Sequence, residues 1–211
     1  MRLYDYWRSS SAYRVRIALR LKGIEHQQLP VNLRQGVQRT LDYLAHNRQG
    51  LVPALETGEA TTLTQSLAII EWLDETHREP ALLPPDAEGR ALARSLAQQT
   101  ACEIQPLTNL RVLLYLNTRL GLDERDVNGW YRHWIAEGFA SLEQRLAASA
   151  GTYCVGDQVT LADLCLVPQV YNARRYSCDL DPYPTILRID AACQKLPAFA
   201  EAKPERQPDA A

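Results

Sequence analysis

The chain has 211 residues, of which 46% are hydrophobic and 23% are charged, and its 23 basic and 25 acidic residues give a formal charge of −2. This balance is ordinary for a globular protein, and it provides no field that would attract nucleic acid or an anionic membrane. No apolar run approaches the ~20 residues needed to cross a bilayer, and no signal-peptide core follows the first methionine. The composition therefore predicts a cytoplasmic protein that binds neither membranes nor nucleic acid.

The first twenty residues are typical of a strand, a polar turn and a helix. An apolar run at 3–7 leads into three consecutive hydroxyls, Ser9, Ser10 and Ser11, and then into helix-like sequence at 13–19. The first turn of a helix carries unpaired backbone N–H groups and the positive end of the helix dipole. Hydroxyl groups at this position either cap the helix or hold and activate an anion such as a thiolate.

Strand and helix patterns alternate over the next sixty residues. They predict a second strand at 26–31, parallel to the first, and then a loop with a short helix at 32–47. Two further strands, at 52–56 and 61–63, are joined by a hairpin turn at 57–60, and an apolar helix follows from residue 65 onward. Prolines at 80, 84 and 85 then mark a linker. The sequence thus predicts a βαβαββα domain over 1–79 and a linker over 80–87.

Beyond the linker, strand signals disappear and apolar residues recur at helical spacing. This pattern predicts an all-helical domain over 88–211. Within it, Thr160 and Asp163 have the spacing of a capping box, which is a folding signal rather than a sign of catalysis.

The cysteines and histidines argue against a metal site and a disulfide scaffold. Five cysteines lie between residues 102 and 193 without a Cys-x-x-Cys pair, and the four histidines lie far apart. Because free cysteine is among the most buried residue types, we expect all five to pack as small hydrophobic side chains. We expect no metal.

The stretch at 7–19, Trp-Arg-Ser-Ser-Ser-Ala-Tyr-Arg-Val-Arg-Ile-Ala-Leu, resembles the signature of zeta-class glutathione transferases. Six more segments match that class in the same order, at 51–55, 65–73, 104–107, 109–113, 153–157 and 162–170. Ser11 stands where many members carry cysteine, so the resemblance implies glutathione chemistry without implying an enzyme thiol. Gly50 stands where relatives commonly carry a longer polar residue.

The resemblance implies an α+β domain of thioredoxin-like topology followed by an all-helical domain, which is the glutathione transferase fold. It implies glutathione as cofactor, a homodimer, and a cis peptide bond before Pro53. The residues implied to act on or bind glutathione are Ser9, Ser10 and Ser11 as catalytic candidates, with Gln49, Val52, Pro53, Gln65, Ser66, Gln105 and Asn109 as further contacts. Either Ser9 or Ser10 is implied to point at the sulfur.

The same resemblance implies that Arg8, Arg111 and Arg175 converge on the carboxylates of a small substrate, since guanidinium groups recognise carboxylates through paired hydrogen bonds. The implied activity is glutathione-dependent cis-trans isomerisation of maleylacetoacetate or maleylpyruvate, in tyrosine or aromatic catabolism. A broader transferase acting on α-halo acids or small electrophiles is the nearest alternative. A non-catalytic interaction module is a further alternative, because fold alone does not fix function. A thiol-disulfide oxidoreductase is disfavoured because serines stand where its nucleophilic cysteine would be.

Overall fold

The computed structural model describes residues 1–58 and 61–210, and these residues form two units. The first unit combines Met1–Leu82 with the segment 194–210, and the second unit is Leu83–Cys193. The boundary therefore falls inside the predicted linker of 80–87. The last segment, which the sequence had placed in the helical domain of 88–211, packs with the first unit instead. The physical reason is that Phe199 and Ala202 are fully buried there.

A four-stranded mixed sheet organises the first unit. Its strands, in the spatial order β2-β1-β3-β4, are β1 at Arg2–Asp5, β2 at Gln27–Pro30, β3 at Ala54–Glu56 and β4 at Thr62–Thr64. Strand β1 runs parallel to β2 and antiparallel to β3, and β3 runs antiparallel to β4. The helices of this part of the unit are α1 at Ser10–Leu21, α2 at Leu41–His46 and α3 at Ser66–Thr76. The predicted βαβαββα order is confirmed, although residues 59 and 60 of the predicted hairpin turn lie outside the described residues.

Helix α1 is buried almost all round, which explains its apolar sequence. Its two internal arginines, Arg14 and Arg16, are as buried as the apolar residues beside them. The Arg16 guanidinium donates to both carboxylate oxygens of Asp5, at 2.8 and 2.9 Å, and to the carbonyl oxygens of Trp7 and Ala202. A buried charge needs such pairing because an unpaired one is costly. Arg16 therefore ties α1 both to β1 and to the C-terminal segment.

The second unit is helical, as predicted for this part of the chain. Its helices are α4 at Ala87–Gln98, α5 at Leu110–Thr118, α6 at Glu124–Ser149, α7 at Leu161–Arg175 and α8 at Pro184–Cys193, whereas α9 at Pro197–Glu201 belongs to the first unit. A π-helical stretch, Gln99–Ile104, continues α4 and ends just before Gln105. A Cβ atom on Gly138 would lie 2.4 Å from the Ile104 side chain, so glycine at this position of α6 lets the π-helical stretch approach closely.

The cysteines only partly follow the sequence expectation. Cys154, Cys165 and Cys193 are buried, as predicted, and burial raises the pKa of the Cys193 thiol. Cys178 is half-buried, where desolvation raises its pKa to about 11. Cys102 is exposed on the π-helical stretch, so the prediction of burial is wrong there.

No helix within residues 1–58 and 61–210 has both the length and the hydropathy that crossing a membrane requires.

Candidate active site

The serine turn, residues 9–11, forms the start of α1. Ser9 is the N-cap residue, and its hydroxyl oxygen accepts a hydrogen bond from the Ala12 N–H at 3.2 Å. This bond leaves the hydroxyl proton of Ser9 available to an anion. Within the described part of the chain, the backbone N–H groups of Ser10 and Ser11 have no hydrogen-bond acceptor. The turn thus offers an anion hydroxyl groups, backbone donors and the positive end of the helix dipole.

The residue that leads into this turn is held from two sides. The Trp7 N–H donates to the Asp209 carboxylate at 3.1 Å, and the Trp7 carbonyl oxygen accepts from Arg16 at 3.0 Å. Asp209 lies in the C-terminal segment that packs with the first unit. The geometry of the turn therefore depends on residues from both ends of the chain.

The Val52–Pro53 segment leaves a short stretch of backbone unpaired. The peptide bond between these residues is cis, which confirms the expectation for Pro53. Among residues 1–58 and 61–210, neither the N–H nor the carbonyl oxygen of Val52 has a hydrogen-bond partner. The preceding carbonyl, that of Leu51, accepts from the Tyr43 hydroxyl at 2.5 Å and from the Asn47 amide at 2.8 Å. Val52 is therefore placed to pair with an extended peptide, in the manner of an added strand.

Gln65 and Ser66 form the start of α3. Gln65 has a φ of 70°, and its side chain makes no capping bond. A non-glycine residue in this left-handed region is strained, and such strain clusters at ligand sites. The Gln65 amide donates to the Gln49 side chain at 2.9 Å, and the Ser66 hydroxyl accepts from Arg14 at 3.3 Å. The uncapped start of α3 therefore presents backbone donors beside two amides, which suits a carboxylate and an amine.

Arg8 directly precedes the serine turn and is half-buried. Its guanidinium lies 4.1 Å from the centre of the Trp7 ring. Its Nε–H group is buried and has no hydrogen-bond partner within the part of the chain that the structure describes. This N–H group is therefore a candidate donor to a bound ligand.

In the second unit, the predicted residues gather around the start of α5. Asn109 caps α5, since its side-chain oxygen accepts from the Arg111 N–H at 3.1 Å. Gln105 follows the π-helical stretch directly and donates its N–H to the Thr100 carbonyl oxygen at 3.0 Å. The π-helical turns of proteins often lie at functional sites. Arg111 is exposed on the first turn of α5.

Contacts through two aromatic rings connect Arg175 with the start of α5. The Arg175 guanidinium lies 4.8 Å from the centre of the Tyr176 ring, and that ring stacks on Tyr131 with centroids 3.6 Å apart. Burial raises the pKa of Tyr131, while the positive charge of Arg175 and a hydrogen bond with Thr108 act to lower it. Thr108 immediately precedes Asn109. Arg175 is therefore near the start of α5, as Arg111 is.

The neighbouring Arg174 has a different role. Its guanidinium forms an ion pair with Asp190 at 2.6 Å, and Asp190 is 1% exposed. Arg175 makes no ion pair within residues 1–58 and 61–210. The tandem arginines are thus one structural cation and one cation available to a ligand.

Comparisons with known proteins agree with this geometry. Residues 8–76 match the family model described as the N-terminal domain of glutathione S-transferase, and residues 109–202 match the C-terminal domain. The chain belongs to the glutathione S-transferase family. It is 49% identical to the probable maleylacetoacetate isomerase of Vibrio cholerae, over 99% of this chain and 97% of that protein.

Solved structures indicate which class of glutathione transferase this chain resembles. The holo structure of a bacterial maleyl pyruvate isomerase, described as a zeta-class glutathione S-transferase, is 49% identical and superposes with a TM-score of 0.98 over 100% of both chains. The maleylacetoacetate isomerase of Methylobacterium extorquens AM1, which has malonate and glutathione bound, is 43% identical with a TM-score of 0.97 over 100% of both chains. The predicted fold and the predicted zeta-class membership are confirmed.

Sequence reasoning missed three residues that shape the transferase site. These are Arg14, which reaches the Ser66 hydroxyl; Asn47, which holds the Leu51 carbonyl; and Asp209, which holds the Trp7 N–H. Arg14 carried a usable signal, because a charge inside the otherwise apolar run at 13–19 must be buried and paired. Nothing in the local sequence marks Asn47 or Asp209, whose partners are set by tertiary packing.

Proposed function

We propose that the protein catalyses glutathione-dependent cis-trans isomerisation of a small unsaturated diketo acid, either maleylacetoacetate or maleylpyruvate. The observation that carries the proposal is the serine turn, where hydroxyl groups and unbonded N–H groups meet the positive end of the α1 dipole. Such a site stabilises an anion, and a thiolate is the anion that this family uses. The first unit, which holds the serine turn, contains no cysteine of its own.

The donor set of the first unit fits glutathione. The unpaired backbone of Val52 suits the cysteinyl unit of a tripeptide, and the uncapped start of α3 at Ser66 suits its γ-glutamyl carboxylate. Gln49 and Gln65 already pair with each other beside that helix, and their remaining amide groups are available to the peptide. We assign Gln105 and Asn109 to the same ligand from the second unit.

Bound glutathione supplies a thiolate that adds reversibly to the double bond, so that the bond can rotate before elimination restores it in the trans form. The serine turn makes the thiolate available near neutral pH. A charge-assisted hydrogen bond contributes ~1.5–3 kcal/mol and a helix N-terminus up to ~2 kcal/mol. At about 1.36 kcal/mol per pKa unit, these effects lower a thiol pKa by about two units.

Three arginines are the proposed ligands for the substrate carboxylates. Arg8 offers a buried N–H without a protein acceptor, and Arg175 and Arg111 carry no ion pair within the described residues. Their positive charge orients the diketo acid and stabilises the negative charge that develops on it during addition. A carboxylate substrate therefore explains why these cations have no carboxylate partner among the described residues.

The test is a side-by-side assay of maleylacetoacetate and maleylpyruvate, each with and without glutathione. We expect isomerisation of at least one acid only when glutathione is present. A chlorodinitroarene and an α-halo acid serve as competing substrates for a general transferase. Faster turnover of these electrophiles than of either diketo acid would overturn the proposal in favour of the broader activity.

We further propose that the enzyme is a cytoplasmic homodimer. Support comes from its family membership and from Leu67 and Trp72 of α3, which stay partly exposed in the single chain. Sedimentation at micromolar protein concentration tests the assembly. A single species of 23.8 kDa, the mass of one chain, would rule out the dimer.

A further inference from the structure

A cluster outside the residues assigned to glutathione joins three elements of the first unit at one carboxylate. The Tyr4 hydroxyl, on β1, donates to Glu56 Oε1, on β3, at 2.9 Å. Nδ1 of His46, the last residue of α2, lies 2.8 Å from the same oxygen. Arg2 binds the other oxygen of Glu56 through a side chain that is 56% exposed. We call Tyr4, His46 and Glu56 the carboxylate cluster.

The contact between the rings of Tyr4 and His46 shows which group accepts the proton of the Tyr4 hydroxyl. The Tyr4 hydroxyl oxygen is 3.2 Å from Nδ1 and 3.1 Å from Nε2 of His46, and the ring centroids are 4.5 Å apart. These nearly equal distances place the hydroxyl against the face of the imidazole, so its proton goes to Glu56. Burial opposes ionisation of Glu56, but hydrogen bonds from Tyr4 and Arg2 hold its pKa below the ordinary value. An ionised Glu56 therefore accepts from both Tyr4 and the Nδ1–H of His46.

This cluster anchors an element that has little stability of its own. Helix α2 has only six residues, and its first residue, Leu41, is 86% exposed. Helices shorter than about 12 residues are marginal without tertiary contacts. Among the described residues, Tyr43 packs against the ring of Tyr4, and His46 is the residue of α2 whose side chain bonds to the sheet.

The segment after His46 leads directly to the proposed glutathione contacts. Asn47 accepts from the Gln49 N–H at 3.0 Å and donates to the Leu51 carbonyl at 2.8 Å. Gln49 in turn pairs with Gln65, and Leu51 precedes Val52. A displacement at the end of α2 is therefore transmitted to both ends of this short segment.

We propose that His46 is a positioning residue, which Glu56 and Tyr4 hold against the sheet so that the segment 47–52 is ordered for glutathione. The proposal rests on the assignment of Gln49 and Val52 to glutathione under the proposed function. It predicts an effect on glutathione binding and none on the chemical step, because no member of the carboxylate cluster belongs to the serine turn or to the arginines.

The decisive variant is His46→Ala, compared with Arg2→Ala as the matched control. Both remove a cation or donor from Glu56, but only His46 belongs to α2. For His46→Ala we expect the KM for glutathione to rise about threefold to tenfold, with kcat within about twofold. For Arg2→Ala we expect both constants to stay within about twofold. Hydrogen exchange of the amides at 41–51 should quicken in His46→Ala alone.

Two further variants protect the test against a folding artefact. His46→Gln keeps a side-chain donor, so we expect it to recover part of the glutathione affinity. Tyr4→Phe keeps the ring and removes the hydroxyl, so we expect a smaller rise in KM. An unchanged KM in His46→Ala, an equal rise in Arg2→Ala, or a matching fall in kcat would each overturn the positioning role.

Calorimetric titration with glutathione separates this proposal from the proposed function. If the parent enzyme binds glutathione but isomerises neither diketo acid, the isomerase assignment fails while the His46 comparison is still decided by the dissociation constants. If the parent does not bind glutathione at all, both proposals fail. Equal dissociation constants for glutathione in the parent and in His46→Ala would refute the positioning role, even if the enzyme is an active isomerase.

Discussion

The N-termini of α1 and α7 both begin with a hydroxyl residue, yet their hydrogen bonds differ. At α7, the Asp163 carboxylate is fully buried and accepts from the N–H groups of Cys154, at 2.9 Å, and Thr160, at 2.8 Å, which confirms the predicted capping box. At α1, Ser9 caps one N–H group, and the N–H groups of Ser10 and Ser11 have no acceptor among the described residues. The start of α7 is buried and carries an anion of its own, whereas the first turn of α1 has no acidic residue, and Ser9 and Ser11 are partly exposed. We call the cap of α7 closed and the cap of α1 open.

This difference separates a folding signal from a candidate binding site. The start of α7 is buried and already holds the chain's own carboxylate, that of Asp163, so a ligand anion has no place there. The donors at the start of α1 are partly free, and the residue before the turn is braced by Asp209 and Arg16. Changes at α7 should therefore alter stability, and changes at α1 should alter activity.

The largest expected effect is on stability, in Asp163→Ala. The variant leaves the buried N–H groups of Cys154 and Thr160 without their acceptor, and each unpaired group costs about 1–3 kcal/mol. We expect the free energy of unfolding, measured by urea denaturation, to fall by about 3–5 kcal/mol. Asp163→Asn keeps an acceptor oxygen and should lose less. A loss below about 1 kcal/mol in Asp163→Ala would show that the cap at α7 is not the closed structural element described above.

Two adjacent arginines at the other end of α7, Arg174 and Arg175, test the same distinction between stability and activity. Arg175→Ala should remove a charge-assisted pair with the substrate worth roughly 2–4 kcal/mol, or about thirtyfold to a thousandfold in kcat/KM for the diketo acid. Glutathione affinity and the slow turnover of a neutral chlorodinitroarene should hardly change. Steady-state kinetics with both substrates provide the measurement.

Arg174→Ala is the matched control for that prediction. It removes the ion pair that Arg174 forms with the buried Asp190, so it should lower the free energy of unfolding while kcat/KM stays close to that of the parent. If Arg175→Ala loses equal activity on the diketo acid and on the neutral chlorodinitroarene, Arg175 supports the fold or the glutathione site. The proposal that the arginines bind substrate carboxylates would then lose its main physical support.

Local sequence patterns predicted the elements better than their contacts. Periodicity was sufficient for the order of strands and helices, because hydrophobic spacing reflects which face of each element is buried. Hydrophobicity alone does not say which apolar residue of α2 packs inward, since the structure buries Tyr43 and leaves Leu41 86% exposed. The choice between them depends on the ring of Tyr4, which lies 39 residues away in the sequence and packs edge-on against Tyr43.

The residues that complete the candidate site depend on contacts between distant parts of the chain. The segment 194–210 packs with the first unit because Arg16 and Tyr13 donate to carbonyl oxygens at Ala202 and Phe199. The π-helical stretch depends on the close approach of Ile104 to Gly138. No propensity or spacing in these segments encodes such pairings, so family resemblance was the only guide to the residues near them.

A smaller effect is expected when the open cap of α1 is altered. Ser9→Ala and Ser10→Ala, made singly, should cost about tenfold or more in rate for whichever hydroxyl faces the sulfur. That variant should also raise the apparent pKa of bound glutathione in an ultraviolet thiolate titration. Ser9→Ala should cost about 1 kcal/mol of stability through the lost cap. If neither variant moves the thiolate pKa, the hydroxyls only cap the helix.

The smallest effect is expected for Ser11→Ala, and it separates the hydroxyl groups from the backbone donors. Alanine at this second helical position keeps the N–H group and the helix dipole, and it has a higher helix propensity than serine. We therefore expect the rate and the thiolate pKa of bound glutathione to change by less than about twofold and about 0.3 units respectively. A loss as large as that in the more sensitive of the Ser9 and Ser10 variants would mean that the hydroxyls act together. No change at Ser11, with a large loss at Ser9 or Ser10, would assign thiolate activation to one hydroxyl together with the N–H groups at the start of α1.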